Sequence, residues 1–416
     1  MKSSAICREW VNSLPPIQGY LKKEQVIGRE SLLKKGLPSK NDEAWRLCNF
    51  NRFNSFLSLP ILIDKKDILL QGKLNLPVKD KGRERIIINP IINDILDINL
   101  PDGIERMNEN EIEKNLGKIV KSTNVKNDIS VSLNQASSSE LLALKVKSDF
   151  NEELEIVVPS IEDKSISTRI FLFIEEGAKL DLFQVFIGDK SSAQNHLIEI
   201  KLETKVEFTH SLISMGQGKE SSLICTVAVE QSEQSNYSLS CLHQGWDYAR
   251  FEPRIIQIDG DASTRIKCLQ VTKAKEQIAT HSLIRFDGPN GKLDQLQKAA
   301  ASENSHCIFN GSISVPQKAQ KTEAAQLSRN LLLSKRARID TKPELEIVAD
   351  DVRCTHGATV SQLQDEELFY LLSRGIDNEH ANSLLLKGYY DEVVSNFPKC
   401  AEKWNYIEKL IENIEK

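Results

Sequence analysis

The sequence predicts a mainly β protein, one large β structure with helices at both ends, and three observations lead there. From about Leu141 to Leu363 apolar residues recur at a period of two, as in Leu142-Leu144-Val146, Phe171-Phe173, Leu180-Leu182 and Leu223-Cys225-Val227-Val229. That spacing puts side chains on one face of a strand. Helical periodicity fades over the same stretch. Similar turn openings also recur there, at roughly 25 to 40 residues: Glu176-Gly177-Ala178-Lys179-Leu180, Thr204-Lys205-Val206-Glu207-Phe208, Gln234-Ser235-Asn236-Tyr237-Ser238, Asp261-Ala262-Ser263-Thr264-Arg265 and Lys335-Arg336-Ala337-Arg338-Ile339. Short strands repeated without intervening helices build a sandwich, a barrel or a β-solenoid. Alternation alone does not separate these, because all three bury one side of each strand.

The elements follow in order. Residues 4 to 35 read as short helices: Trp10, Val11 and Leu14 precede Pro15-Pro16, and Val26, Ile27, Glu30, Leu33 and Lys34 carry a second amphipathic pattern that Gly36-Leu37-Pro38-Ser39 ends. Residues 50 to 135 are mixed, with a strand-like run from Arg85 to Ile92 and a turn at Pro101-Asp102-Gly103. This gives an α/β N-terminal region over 1–135 and a β core over 136–363. Residues 364–416 turn helical again. Asp365, Glu366 and Glu367 suit a helix N-terminus, and Gly375 stops that helix. Asp377 caps a second helix with an apolar stripe of Ala381, Leu384 and Leu385, closed by Gly388. A last amphipathic helix, about Ala401 to Glu415, buries Trp404, Ile407, Leu410 and Ile411. Such short helices make no core of their own, so they dock on the β body or on another protein.

The 416 residues carry 54 Lys and Arg against 59 Asp and Glu, a net charge of -5. The basic residues are scattered, which argues against a nucleic-acid partner. No apolar run is long enough to span a membrane, and the N-terminus lacks the pattern of a signal peptide, so a cytoplasmic protein is expected. Eight cysteines without a Cys-x-x-Cys pair fit a reducing compartment.

Among motifs, Gly216-Gln217-Gly218-Lys219 and Gly291-Lys292 resemble a phosphate-binding loop only superficially. The motif needs a glycine five positions before its second glycine and Ser or Thr after the lysine; Ile213, Phe286, Glu220 and Leu293 stand there instead. ATP hydrolysis, if coupled to this chain, belongs to another subunit. Glu344 and Glu346 alternate with Leu345 and Ile347, so they read as the solvent face of a strand. His281 and His306 read as packed or hydrogen-bonded residues. The stretch Asp350 to Val360 is the most informative: a strand rich in carboxylates runs into a turn holding Cys354 and His356, two side-chain types suited to soft or borderline metals. If strand alternation persists through Arg353 and Thr355, the two project to the same side.

These residues also carry a resemblance. Asn330-Leu331-Leu332-Leu333-Ser334, Pro343-Glu344-Leu345-Glu346-Ile347, Ala349-Asp350-Asp351-Val352, Cys354-Thr355-His356-Gly357-Ala358-Thr359 and Leu368-Phe369-Tyr370-Leu371 with Ser373-Arg374-Gly375-Ile376 resemble the SufB/SufD family of iron-sulfur cluster assembly proteins. Phe309-Asn310-Gly311, Ala319-Gln320-Lys321-Thr322 and Gly36-Leu37-Pro38 with Glu43 and Trp45 are similar to further parts of that pattern. The Cys-Thr-His-Gly-Ala-Thr segment is similar to the SufD branch. Leu47-Cys48 after Trp45-Arg46 and Ser361 after Val360 depart from the pattern. The resemblance implies a right-handed parallel β-helix between helical regions and a scaffold subunit with no turnover of its own. It implies pairing with SufB and binding of the ATPase SufC.

By the same resemblance His356 sits at the interface where a transient iron-sulfur cluster is built. It is the candidate iron ligand, shared with the partner, with Cys354 beside it, and no cofactor is expected to stay tightly bound to the isolated chain. Leu368, Phe369, Tyr370, Arg374, Leu384 and Leu385 would belong to the SufC-docking region. In isolation the chain has the option of pairing with itself. Two rivals stand against this reading: a β-helix enzyme acting on polysaccharide, which export signals and groove aromatics would favour, and a structural homodimer without metal chemistry. The 6% aromatic content lends the first little support.

Overall fold

The computed structural model describes residues 2–17, 19–61, 76–88, 100–123, 128–150, 152–406 and 410. The alternating stretch is a parallel β-solenoid of about eight turns. Each turn lays one strand on each of two faces. The first face stacks β1 (Arg83–Ile87), β4 (Glu153–Pro159), β6 (Lys179–Ile187), the first halves of β8 (Glu207–Gln231) and β9 (Asn236–Gln257), β10 (Ser263–Thr272), β12 (Lys292–Ala301), β14 (Glu323–Leu332) and β16 (Arg353–Ser361). The second face stacks β2 (Ile104–Arg106), β3 (Glu140–Val146), β5 (Ser165–Ile174), β7 (Ala193–Leu202), the second halves of β8 and β9, β11 (Gln277–Phe286), β13 (His306–Val315) and β15 (Arg338–Ile347). Pairing is parallel except between β2 and β3. The ladders are in register, so one inward position forms a continuous column: Leu154, Leu182, His210, Leu239, Ile266, Gln295, Gln326 and His356.

Of the five turn openings seen in the sequence, that at Lys335 is a turn without positive φ. The other four are coil corners with positive φ, at Gly177, Lys205, Gln234 and Asp261, and Asn290 and Lys321 take the same positive-φ place in later coils. A single buried residue follows each of them, among them Ala178, Val206, Ser235, Ala262 and Thr322, and then a strand begins. At the corner where β8 and β9 cross between faces, Gly188, Gly216 and Gly245 stack beneath the fully buried Trp246. A Cβ on Gly216 would stand 2.7 Å from the Gly245 carbonyl carbon, so only glycine fits. The lumen of the early coils is mainly apolar, with Leu154, Leu182, Ile198, Leu212, Leu239 and Ile255 buried, and the buried His196 and His210 among them are hydrogen-bonded on both ring nitrogens. Burial of each such side chain stabilises by ~1.5–3 kcal/mol relative to exposure.

The outer faces are covered by different termini. On the second face, α1 (Lys2–Ser13), α2 (Lys22–Lys35), α3 (Phe50–Ser58) and α6 (Ile129–Ser137) pack Trp10, Leu32, Phe53, Phe56 and Leu133 over Ala193, Ile224 and Tyr248. Every residue of α6 is buried. The Arg169 guanidinium beneath these helices binds Glu199 at 2.6 Å and Glu24 at 3.3 Å. Two short helices, α4 (Glu109–Asn115) and α5 (Lys118–Ser122), sit beside the first coils, α4 held by an Asn108–Glu111 capping box. On the first face, α8 (Asn378–Val394) lays Leu386, Tyr390, Val393 and Val394 over Val185, Ile213, Leu242 and Leu269.

Three sequence expectations are corrected. Cys354 and His356 lie within strand β16 and not in a turn, because each residue from Arg353 to Ser361 finds a register partner on β14. Gly388 does not close α8, which runs to Val394 because the apolar residues that anchor it, Tyr390 and Val393, come after the glycine. The helix expected from Ala401 opens instead on a 3-10 turn, Lys399–Trp404, that buries Trp404; Tyr406 and Leu410 beyond it are helical and buried, and Ile407 and Ile411 lie outside the described residues. The strand-like run from Arg85 begins at Arg83, and its part beyond Ile88 also lies outside them.

Candidate functional site at the terminal coil

The solenoid ends at β15 and β16. Of the described strands, β15 pairs only with β13 and β16 only with β14, so each leaves one edge of N–H and C=O groups unpaired. Among the described residues no helix covers this end: β15 and β16 contain no buried residue, and Ile347, Val348 and Val360 are exposed.

On β16 the alternation continues through Arg353 and Thr355, which line an open trough of about 730 Å³ on the outer side of the first face. Cys354 and His356 therefore share the inward side. Cys354 stands opposite Ala324, is half-buried and packs against the lumenal core. Burial raises its thiol pKa, only partly offset by the hydrogen bond from the Ala324 backbone, so it is a thiol and a weak nucleophile at neutral pH. His356 stands opposite Gln326 and is exposed, since no further coil closes over it. Behind it runs a polar column: Gln326 Nε2 donates to Gln295 Oε1 at 2.9 Å, and Gln295 Nε2 donates to Ser282 Oγ at 2.9 Å. Gln326 Oε1, the acceptor nearest the open end of the column, is buried without a hydrogen-bond partner. Neighbouring lumen positions are polar too, with Thr341 donating to Ser328 and Asn330 to Ser328 and the Thr359 carbonyl.

An exposed imidazole on a rigid strand can ligate iron or move a proton. Among the described residues, no third Cys, His, Asp or Glu joins Cys354 and His356 in a group of metal-binding size. Further ligands for a metal ion or cluster there must come from a partner or from the cargo itself.

The C-terminal residues divide into anchored and free. α7 (Asp365–Ser373) has no buried residue; Phe369 is 72% and Tyr370 57% exposed, with the Arg374 guanidinium 5.2 Å from the Tyr370 ring centroid. Leu368 is half-buried. Leu384 is exposed and Leu385 half-buried on α8, while their neighbour Leu386 is buried and, with Tyr390 and Val393, anchors the helix. The two histidines read from sequence as packed are so. His281 accepts from Arg250 Nη1 at 3.0 Å, and His306 bonds Gln277 and Asp340.

Sequence reasoning missed one group. Cys241, His243 and Cys268 bring their ligand atoms within 4.8 Å of one another in the closed lumen. A signal was present: Cys241-Leu242-His243 repeats the Cys-x-His spacing of Cys354-Thr355-His356, and Cys268 falls one coil later.

The fold and its site define a class: a helix-flanked parallel β-solenoid whose bare terminal coil presents a Cys-x-His pair. Residues 157–389, more than half the chain, match the family model described as SUF system FeS cluster assembly, SufBD core domain, and the chain belongs to that family. It is 28% identical over 382 residues to an iron-sulfur cluster assembly SufBD family protein of Synechocystis sp., covering 87% of this chain and 84% of that one. It is 27% identical over 389 residues to Protein ABCI7, chloroplastic, of Arabidopsis thaliana, covering 89% and 81%. Over 138 residues it is 40% identical to the iron-sulfur cluster assembly protein SufD of Escherichia coli, 33% of each chain. Family membership gives the chain a role in iron-sulfur cluster assembly. Among the described residues, no helix is long and apolar enough to cross a membrane.

Proposed function

We propose that this chain is a SufD-type scaffold subunit that pairs through its terminal coil with a SufB-type subunit and binds a SufC-type ATPase through residues 364–416. The observation that carries the reading is the bare edge of β15 and β16 with His356 exposed on it. A partner coil added there satisfies the unpaired backbone groups, covers Val360 and Ile347, and closes the lumen over His356. His356 then lies between two subunits, where it supplies one ligand to a nascent cluster or moves a proton, with Cys354 beside it as a thiol. The cluster is cargo, built and released. Exposed Phe369, Tyr370 and Leu384, with Leu368, Arg374 and Leu385, form the SufC-docking surface; α8, anchored on the first face by Leu386, relays movement of the ATPase to the solenoid. ATP hydrolysis belongs to SufC. The cytoplasm suits the eight unpaired thiols.

The test is anaerobic co-purification with cognate SufB and SufC, comparing wild type with His356→Ala. The expected result is an intact complex in both and loss of iron and sulfide in the variant. Failure of wild type to capture either partner overturns the reading. Undiminished cluster in His356→Ala removes His356 from assembly chemistry.

A further inference from the structure

The Cys241, His243 and Cys268 group is separate from the terminal coil. Cys241 on β9 and Cys268 on β10 are register partners, His243 lies two residues along β9 on the same inward side, and all three are buried. Their sulfur and nitrogen atoms fall within 4.8 Å of one another. Metal bonds of ~2.3 Å to sulfur and ~2.0–2.1 Å to nitrogen need ligand atoms roughly 3.5–3.8 Å apart in a tetrahedral site, a small rotation from the positions seen.

The second, independent observation is the state of the imidazole. His243 Nδ1 lies 2.7 Å from Ser214 Oγ, and the same oxygen accepts from Trp246 Nε1 at 3.1 Å. With Nδ1 engaged by Ser214 Oγ, Nε2 is the ring nitrogen left to act as a ligand, and it is buried with no hydrogen-bond partner. An imidazole held through one nitrogen with the other unengaged is how a protein orients a metal-binding histidine. Two further acceptors flank the group unpaired: Oε1 of Gln270, the register partner of His243, and Oε1 of Gln297, the register partner of Cys268. A water in a fourth coordination position would donate to them.

We propose that Cys241, His243 and Cys268 hold a resident thiophilic divalent ion, zinc or ferrous iron, inside the solenoid, where it ties two successive coils together. Two thiolates and one divalent ion sum to zero charge, which suits a closed lumen where bare charges are costly. Both thiols give up their protons as the ion binds. Coil stacking closes the site, so the ion loads as the chain folds. The proposal stands on lumenal geometry and is independent of the role given to His356.

The experiment uses the full chain, freed of any affinity tag and isolated anaerobically from cells grown with added Zn2+. Metal content and X-ray absorption at the bound metal's edge are measured. The expected result is about one zinc or iron per chain with two sulfur neighbours and one imidazole nitrogen, unchanged in Cys354→Ser and His356→Ala and lost in Cys268→Ala and His243→Gln. The two-sulfur shell is read on wild type, so it decides the matter even if a lumenal variant fails to fold. Wild type without stoichiometric metal, a Cys241–Cys268 disulfide by mass spectrometry, or metal lost with Cys354→Ser overturns the proposal.

Discussion

Replacing Gly216 by Ala tests the coil corner on which the solenoid's middle depends. The added Cβ would stand 2.7 Å from the Gly245 carbonyl carbon and 2.9 Å from the Trp246 Cα. Carbon atoms in good contact sit ~3.5–4.0 Å apart, so the overlap is about 1 Å. Both neighbours are backbone, so no side chain can swing away and the corner itself must open. Overpacking of this kind costs ~1–3 kcal/mol. At about 2 °C per kcal/mol for a large chain, the melting temperature falls by ~2–6 °C. Gly388→Ala is the matched control: it lies inside α8 and its Cβ would meet nothing within 4 Å. Alanine is better in a helix interior by ~0.5–1 kcal/mol, so this variant melts slightly higher. Differential scanning calorimetry of both variants beside wild type reads the opposite signs. A Gly216→Ala chain that melts with wild type would refute the corner argument, and a destabilised Gly388→Ala would show that the glycine ends the helix after all.

Three other outcomes are expected. Arg169→Ala leaves Glu199 without its guanidinium partner in a fully buried position and lowers stability by ~3–5 kcal/mol; a urea midpoint that stays at the wild-type value with an unchanged slope would count against the buried pair. Leu386→Ala removes an anchor of α8 that is 1% exposed, at ~2–5 kcal/mol, and amide exchange speeds in α8 while the lumenal strands stay protected. Burial pushes the Glu276 carboxyl up to about 7, against the Lys273 backbone N–H that favours its charge. Its folded value therefore lies above its unfolded one, so its contribution is full below pH ~4 and is lost as pH rises toward 7. Glu276→Gln should match wild type at about pH 4 and exceed it at about pH 8; equal stability at both would show that the carboxyl is not held neutral.

Much of the fold was legible because a solenoid writes its geometry locally. Period-two alternation gave the strands, and the openings at Gly177, Lys205, Gln234 and Asp261 proved to be coil corners with positive φ. The choice among solenoid, sandwich and barrel was not legible, since each gives the same alternation; it is settled by which strands pair, a property of residues about one coil apart. The same limit hid Cys268, which meets Cys241 only once the register is known. The extent of α8 was misread because Gly388 looks like a stop, while Tyr390 and Val393 find their apolar partners on the distant β strands. Cys354 and His356 were picked out by residue type, but their inward orientation follows from pairing with Ala324 and Gln326 on the preceding coil.

The uncovered edge of β15 and β16 has a consequence for how the chain is made. During synthesis each new coil finds its template in the one before it, so the growing front is always an unpaired edge waiting for the next segment. When translation passes Ser361 no further coil arrives, and the front is left standing. If a partner docks there as proposed, that association is the last round of the same coil-on-coil docking, performed between molecules, and its speed depends on the concentration of the incoming strand.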